Sequence, residues 1–587
     1  MTSRDPISRE LIKNALGSLV DEMAYTIVQT AHSEIVKDVM DFSTACCDAD
    51  GRMLAQGKTI AMHLGAVPEA MAAIHAAFPA DVNPGDVFVL NDPYEGGMHL
   101  PDVFVIKPVF MELELIGWTL AVGHQTDMGG RVPGSNASDS TEIFQEGLRI
   151  PPLKLYDAGT PNHTLVRLLE KNVRLPSRVL GDWGAQLAAC RIGESGLLAL
   201  VERHGTEQLR GYFDDLLDYT ERMVRAEIDS WPDGTYEFVD YLDGDGFDER
   251  PIPIRVALTV DGDSLVADFS GSGGQVKGAI NATLSFTQSC TYLSVRNMIR
   301  EDIPNNAGFF RPITVIAPPG SVVNVAQPGA VAARAQTGYR IVDAMFGALA
   351  TIIPGRVPAA GEGGNTVVCL SGRRKDRSPF IVVDMLCGAW GGRSTADGVD
   401  GVTNPAQNLS NTPIEILEHH HPVRVERYGF VTDTGGAGRF RGGMAIERQY
   451  RMLAADGGLL QLRSDRSDHA PWGLDGGEAG VVSRNILLGV DGSERELPNK
   501  VTMELASGQA IRHQMAGAGG YGDPFERDAL RVLDDVLDER VSPWHARERY
   551  GVVIRDGALD ATATRALRRA RDQARTDGAG GDRTRDR

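Results

Sequence analysis

No stretch of this 587-residue chain reaches the roughly 18 uninterrupted apolar residues that a bilayer-spanning helix needs, so a membrane span is not expected. Basic charge is also short. Lys and Arg number 59 against 79 Asp and Glu, a formal net charge of −20, and no basic stripe is available for a nucleic-acid backbone. Cysteine is sparse: the six thiols at 46, 47, 190, 290, 369 and 387 contain no CxxC. Reduced, buried thiols in a cytoplasmic protein are therefore expected rather than a disulfide framework. The opening MTSRDPISRELIKNALG lacks an apolar signal core and is read as mature protein. Nowhere does GxxxxGK[ST] occur, and no GxGxxG falls between a strand and a helix, so the chain is expected to carry no nucleotide site of its own. Repeats of fixed period are absent too.

What is present is a hydrophobic fraction of 42% and 67 glycines, enough for several packed domains joined by many turns. Asp5-Pro6 reads as a cap and first helical residue, followed by Ile12, Leu16, Leu19, Met23 and Ile27 along one helical face. DFSTACCDADGRMLAQG reads as a hairpin turning at Asp50-Gly51, and 66–78 as a helix. Three short apolar runs (DVFVLND, DVFVIKPVFM and ELIGWTLAVGH) read as strands, and 165–229 reads as mostly helix. Strands and glycine turns dominate from 231 to about 520, broken by a helix at 338–353. A final helical stretch follows, with Leu530, Leu533, Val536 and Leu537 on its buried face. The expectation is a mixed α+β, multidomain chain. An N-terminal α/β metal-binding domain spans 1–230, a β-rich region 231–524, a helical segment 525–575 and a disordered tail 576–587.

Chemistry concentrates in NDPYEGGMHLPDV and GHQTDMGG. His99 and Asp102 stand three apart before one strand; His124 and Asp127 stand three apart after the next. If the two strands pair antiparallel, both His-x-x-Asp pairs meet at one sheet edge. Imidazoles with carboxylates suit a divalent Zn, Mn or Fe ion. Asp41, Asp92 and Asp127 are candidates for a further ligand or for orienting a histidine. The run Glu34, Lys37, Asp38, Asp41 reads more readily as a solvated face than as a feed of carboxylates to the pocket. His63 reads as a cap neighbour or a pocket residue. FSGSGGQVKGAIN has the glycine density of a ligand loop. His419, His420 and His421 read as a polar loop rather than a metal tract, and Trp390 and Trp472 as fillers of core or interface space.

Together with NTPIEILEHHHPVRVERYGF, GGAGRFRGGMAIERQYR, HAPWGLDGGEAG and AGGYGDPFERD, these motifs resemble the hydantoinase B/oxoprolinase family over roughly residues 5–555. The same family takes in alpha-type subunits of ketone carboxylases and a lactam-hydrolysing subunit. The resemblance implies a hetero-oligomer in which a hydantoinase A-like partner binds and hydrolyses ATP. It implies metal ligands at His99, Asp102 and His124, with Asp41 of the DFS motif as a further ligand. The implied reaction is ATP-driven ring opening of a hydantoin, 5-oxoproline or lactam by metal-activated water, with Asp127 or Asp92 accepting the proton. Two alternatives stand beside it: a ketone carboxylase subunit and a non-catalytic scaffold. The chain departs from the family pattern at Glu95, Met98, GEGGNT (361–366) and TNPAQNLSNTP (403–413), and these departures are expected to reshape the substrate pocket.

Overall fold

The computed structural model describes residues 5–403 and 405–580. Helix α1 (Pro6–Thr30) starts as its sequence dictates: Asp5 accepts from the backbone N–H of Ile7 and Ser8, and Pro6 opens the first turn. Its buried face carries Ile12, Leu16, Leu19, Val20, Met23 and Ile27. A single turn, α2 (Glu34–Lys37), leads into strands β1 (Phe42–Asp48) and β2 (Met53–Gln56), followed by helix α3 (Val67–Ala77). Strands β3 (Val87–Leu90), β4 (Asp102–Met111), β5 (Glu114–His124), β6 (Leu153–Asp157) and β7 (Thr160–Pro161) complete a seven-stranded sheet. Its order is β2-β1-β5-β4-β3-β6-β7, and every pairing in it is antiparallel.

Helices α4 (His163–Asn172), α5 (Pro176–His204) and α6 (Thr206–Asp229) follow. Glycines let α5 approach closely: a Cβ on Gly193 would lie 2.6 Å from both Met23 Sδ of α1 and Thr119 Cγ2 of β5. Gln186 of α5 donates from Nε2 to Val103 O (2.8 Å) and Ala121 O (3.0 Å). One side chain thereby ties β4 to β5 beside the ends that carry the chemistry.

Past Asp229 the chain builds a four-stranded sheet over 234–316, flanked by α7 (Leu284–Met298) and α8 (Ala335–Ile352). The apolar core runs from Ile12 through both sheets to Leu409. A four-stranded and a five-stranded antiparallel sheet occupy 367–514 with a core of their own. The mixed α+β class expected from the sequence is the one found.

The C-terminal helices Ala529–Leu537, Pro543–Tyr550 and Ala561–Gly580 depart from expectation in one respect. Val532, fully buried, packs beside Val541, Ala546 and Tyr550, and Val536 packs half-buried against them as expected. Leu530 and Leu537 are 59% and 60% exposed and are not part of the small cluster that includes Ala437. Of the disordered tail expected at 576–587, residues 576–580 instead continue the last helix, and 581–587 lie outside the described residues.

Among the described residues no helix is long and apolar enough to cross a membrane. All six cysteines are free and buried. Burial lifts the thiols of Cys46, Cys190, Cys369 and Cys387 to about 12, which removes the thiolate that reacts. We expect no thiol to react with a bulky disulfide reagent in the native protein and all six to react in denaturant. Fast labelling of any of them in the native state would contradict the packing described.

Candidate metal centre

The loop between β3 and β4 must reverse sharply to deliver His99. Gly97 permits this, since a Cβ there would lie 2.5 Å from Asn91 O, and Gly96 adopts φ +93°. His99 then closes a turn onto β4, its carbonyl accepting from Asp102 N at 3.0 Å. Strands β4 and β5 pair antiparallel with Asp102 directly opposite His124. The strand pairing expected from the sequence thus brings His99, Asp102 and His124 together. Their ligand atoms lie within 4.8 Å of one another, and no other such group occurs among the described residues.

Hydrogen bonding fits this set to a cation. His99 Nδ1 faces the carbonyl of Ala332 at 3.3 Å; a carbonyl only accepts, so Nδ1 carries the proton and Nε2 is left with a lone pair. That lone pair faces Asp102 Oδ1 at 3.0 Å, yet neither atom has a hydrogen-bond partner, and both ring nitrogens of His124 are also orphaned. Buried acceptors without donors are costly. Two acceptors 3.0 Å apart match ligands that each sit at about 2.0–2.2 Å from one ion. Burial and the Arg334 charge lower His99 to about 4. Burial and the neighbouring His99 lower His124 as well. Both rings are therefore neutral, the form that ligates. Burial opposes ionisation of Asp102, but the Arg334 guanidinium paired with it favours the carboxylate, and the carboxyl lies well below its usual range.

The remaining expected residues divide. Asp41 is buried on the wall of the same cavity. Burial and repulsion from Asp102 push it up to about 8 against the pull of Arg334 and Arg463. Its own carbonyl accepts from His124 N at 3.0 Å. His63 is a wall residue too, with Nδ1 3.0 Å from Ser43 Oγ. Asp127 and Asp92, expected as proton acceptors, do not line this cavity. Asp127 accepts from Gly134 N (2.9 Å), Arg174 N (2.6 Å) and Arg174 Nη1 (3.0 Å), which caps the turn after β5 and points it away. Asp92 caps the turn at Tyr94 N (3.0 Å) and takes a two-pronged bond from Arg149 at 3.0 and 2.7 Å.

Glu34 pairs with Arg178 and with His420 at 3.0 Å, while Lys37 is exposed. The charged run thus splits between surface and cavity. The histidine tract corrects the polar-loop expectation: Ile414–His420 is a short helix, and His421 is buried 3.5 Å from Glu34. The loop in FSGSGGQVKGAIN does not reach the cavity; its Asn281 ties Val276, Gly278 and Ala330 together. Trp472 packs 5.4 Å from Phe238, as space-filling predicts.

Sequence reasoning missed Arg334 and Arg463, both buried on the wall, and Asn365 and Gln407 beside them. Arg334 pairs with Asp102. Arg463 donates to Ala332 O at 2.8 Å. The one signal for Arg334 is a lone guanidinium inside the apolar run PGAVAARAQTG, which has to find a buried acceptor. Asn365 and Gln407 fall in two segments flagged as departures from the family pattern. The cavity itself holds only about 20 Å³, room for a single water.

Comparisons with known proteins bear on the family and the fold. The family model described as hydantoinase B/oxoprolinase matches residues 5–524. The crystal structure of an ATP-dependent caprolactamase from Pseudomonas jessenii is 30% identical, with a TM-score of 0.90 over 97% of this chain and 100% of that one. A 5-oxoprolinase of Dictyostelium discoideum is 28% identical over 529 residues, covering 89% of this chain and 40% of that protein. A nucleotide-free acetone carboxylase shares the fold at 21% identity, with a TM-score of 0.90 over 98% of this chain and 84% of that one.

Proposed function

We propose, on the premise that this chain belongs to the hydantoinase B/oxoprolinase family, that it is the metal-binding subunit of an ATP-dependent enzyme that opens a cyclic amide ring. It works with a hydantoinase A-like subunit that binds and hydrolyses ATP. The observation that carries this reading is the convergence of His99, Asp102 and His124 in one buried cavity, with ring nitrogens and a carboxylate oxygen left unpaired. Relatives named for a lactam and for 5-oxoproline, both cyclic amides, support the substrate class.

An unstrained amide is a weak electrophile at neutral pH. Phosphorylation of its oxygen on the ATP-binding partner supplies a leaving group and makes the carbonyl reactive. A divalent Zn, Mn or Fe ion held by His99, Asp102 and His124, with Asp41 as a further ligand, supplies a Lewis acid for carbonyl or water. The rest follows from side chains of this chain. Arg334 and Arg463 each keep a buried Nε–H without an acceptor, and these two cations hold the oxygens of the activated group. Asn365 Oδ1, also unpartnered, accepts from the ring nitrogen once a proton from the attacking water reaches it, and so orients the scissile bond.

The test is to purify the chain with its partner subunit and supply ATP with hydantoins, 5-oxoproline and lactams of different ring size. ADP and ring-opened product are expected to appear together, and only when both subunits are present. ADP formation coupled instead to ketone and bicarbonate would overturn the reading in favour of carboxylation. Ring opening by the partner alone would leave this chain as a scaffold.

A further inference from the structure

We propose that Glu146 is a positioning residue for the metal centre, acting through the strap 328–334 that it holds against the ligand His99. The inference rests on the metal-binding reading above and goes beyond it by naming what sets the ligand geometry.

The strap runs from Pro328 to Arg334, immediately before α8, without regular structure of its own. Its central residues are Gly-Ala-Val-Ala-Ala. Ala330 and Ala332 are fully buried against Ala279, but such small side chains lock little by packing. Hydrogen bonds therefore fix the strap. Pro328 O accepts from Ile143 N at 2.9 Å, Gly329 O from the Tyr94 hydroxyl at 2.5 Å, and Ala330 O from Asn281 Nδ2 at 3.0 Å. Val331 N and Ala332 N both donate to the same oxygen, Glu146 Oε1, at 2.8 Å each.

The next polar groups along the strap are the ones that meet the centre. Ala332 O accepts from His99 Nδ1 and from Arg463 Nη1, and the Arg334 side chain pairs with Asp102. Holding residues 331 and 332 thus fixes which nitrogen of His99 is protonated, where its ring points, and where two arginines stand. Partners of this kind orient metal ligands and tune affinity.

Glu146 itself has no other evident reason to be buried. It is 2% exposed, no cation among the described residues forms an ion pair with it, and Oε2 lacks a partner there. Burial pushes its carboxyl up to about 8, so near neutrality it is a neutral acceptor that glutamine mimics in shape and hydrogen bonding.

That equivalence defines the experiment. Glu146→Gln keeps an acceptor oxygen for the two N–H groups; Glu146→Met keeps the volume and loses the acceptor. Affinity of each full-length protein for Zn²⁺ alone is measured by competition with a chromophoric chelator, beside the melting temperature of the metal-free forms. Glu146→Gln is expected to bind within about threefold of the parent, and Glu146→Met about 10–100-fold more weakly. Equal affinity of the methionine variant overturns the proposal. So does equal weakening of both variants, since loss of the ionisable carboxyl, and not of the acceptor, then accounts for it. Should Glu146→Met fail to accumulate, Tyr94→Phe removes only the neighbouring anchor at Gly329, and about a tenfold loss is expected; affinity within about threefold of the parent there overturns the proposal as well. A parent protein that binds no Zn²⁺, Mn²⁺ or Fe²⁺ is a different failure and sinks the metal-binding reading itself.

Discussion

Replacing His99 or His124 with alanine is expected to take metal content from near one ion per chain to background. ATP-dependent ring opening should fall with it by roughly 10³-fold, because a divalent ion contributes several kcal/mol to charge development at about 1.4 kcal/mol per tenfold. The fold should survive both changes. After loss of the His99 ring, Ala332 O keeps Arg463 at 2.8 Å and Asp102 keeps Arg334; His124 has no side-chain hydrogen bond to lose. Asp127→Asn and Asp92→Asn are the instructive contrast. Both carboxylates serve arginines and turn amides rather than the cavity, so these variants should retain their metal. Elemental analysis of the four purified variants decides the matter. Stoichiometric metal in the two alanine variants, or its loss in the two asparagine variants, would mean the ligand set has been misassigned.

The second large effect concerns stability. Asp240, Asp343 and Asp465 meet Arg340, Arg466 and Lys500 in a charge-balanced cluster where the four-stranded sheet at 234–316, α8 and the later sheet come together. Arg340 is wholly buried and reaches Asp465 at 2.8 Å, Asp343 at 3.1 Å and Asp240 at 3.4 Å. Burial works against the charge on Asp240, but Arg466 and Arg340 overcome it and draw the carboxyl down to about 2. Truncating one partner strands the others in a low-dielectric interior. Asp465→Ala removes the acceptor shared by Arg340 and Lys500 and is expected to destabilise by about 3–5 kcal/mol, read as an early unfolding transition in urea. Replacing Arg340 and Asp465 together by apolar residues should cost less than the single change. An Asp465→Ala protein that unfolds with the parent would show that water reaches this cluster.

Much of the centre was legible because its parts are local. His99, Asp102 and His124 sit at the ends of two strands consecutive in sequence, and antiparallel pairing alone makes them neighbours. The same spacing misled at Asp127. Three residues past a strand end the chain has already turned, and its direction is set by Gly134 and Arg174, which no periodicity announces. Arg334, Asn365, Gln407 and Arg463 were hidden for another reason. They reach the cavity from 200 to more than 300 residues downstream, on elements whose packing depends on tertiary contacts. Helix α8 was found within three residues of its start, since apolar content marks a buried helix. That its N-terminal arginine would meet a carboxylate of the first sheet was beyond any window of sequence.

The cavity of about 20 Å³ bears on hydrolysis in one more way. An activated carbonyl is vulnerable wherever solvent is plentiful, and its stray decay would uncouple ATP use from ring opening. With room for roughly one water, the centre as it stands excludes bulk solvent, and its walls have to part before an activated ring can reach Arg334, Arg463 and Asn365. On the hydrolytic reading, keeping bulk water out until the substrate arrives limits that loss.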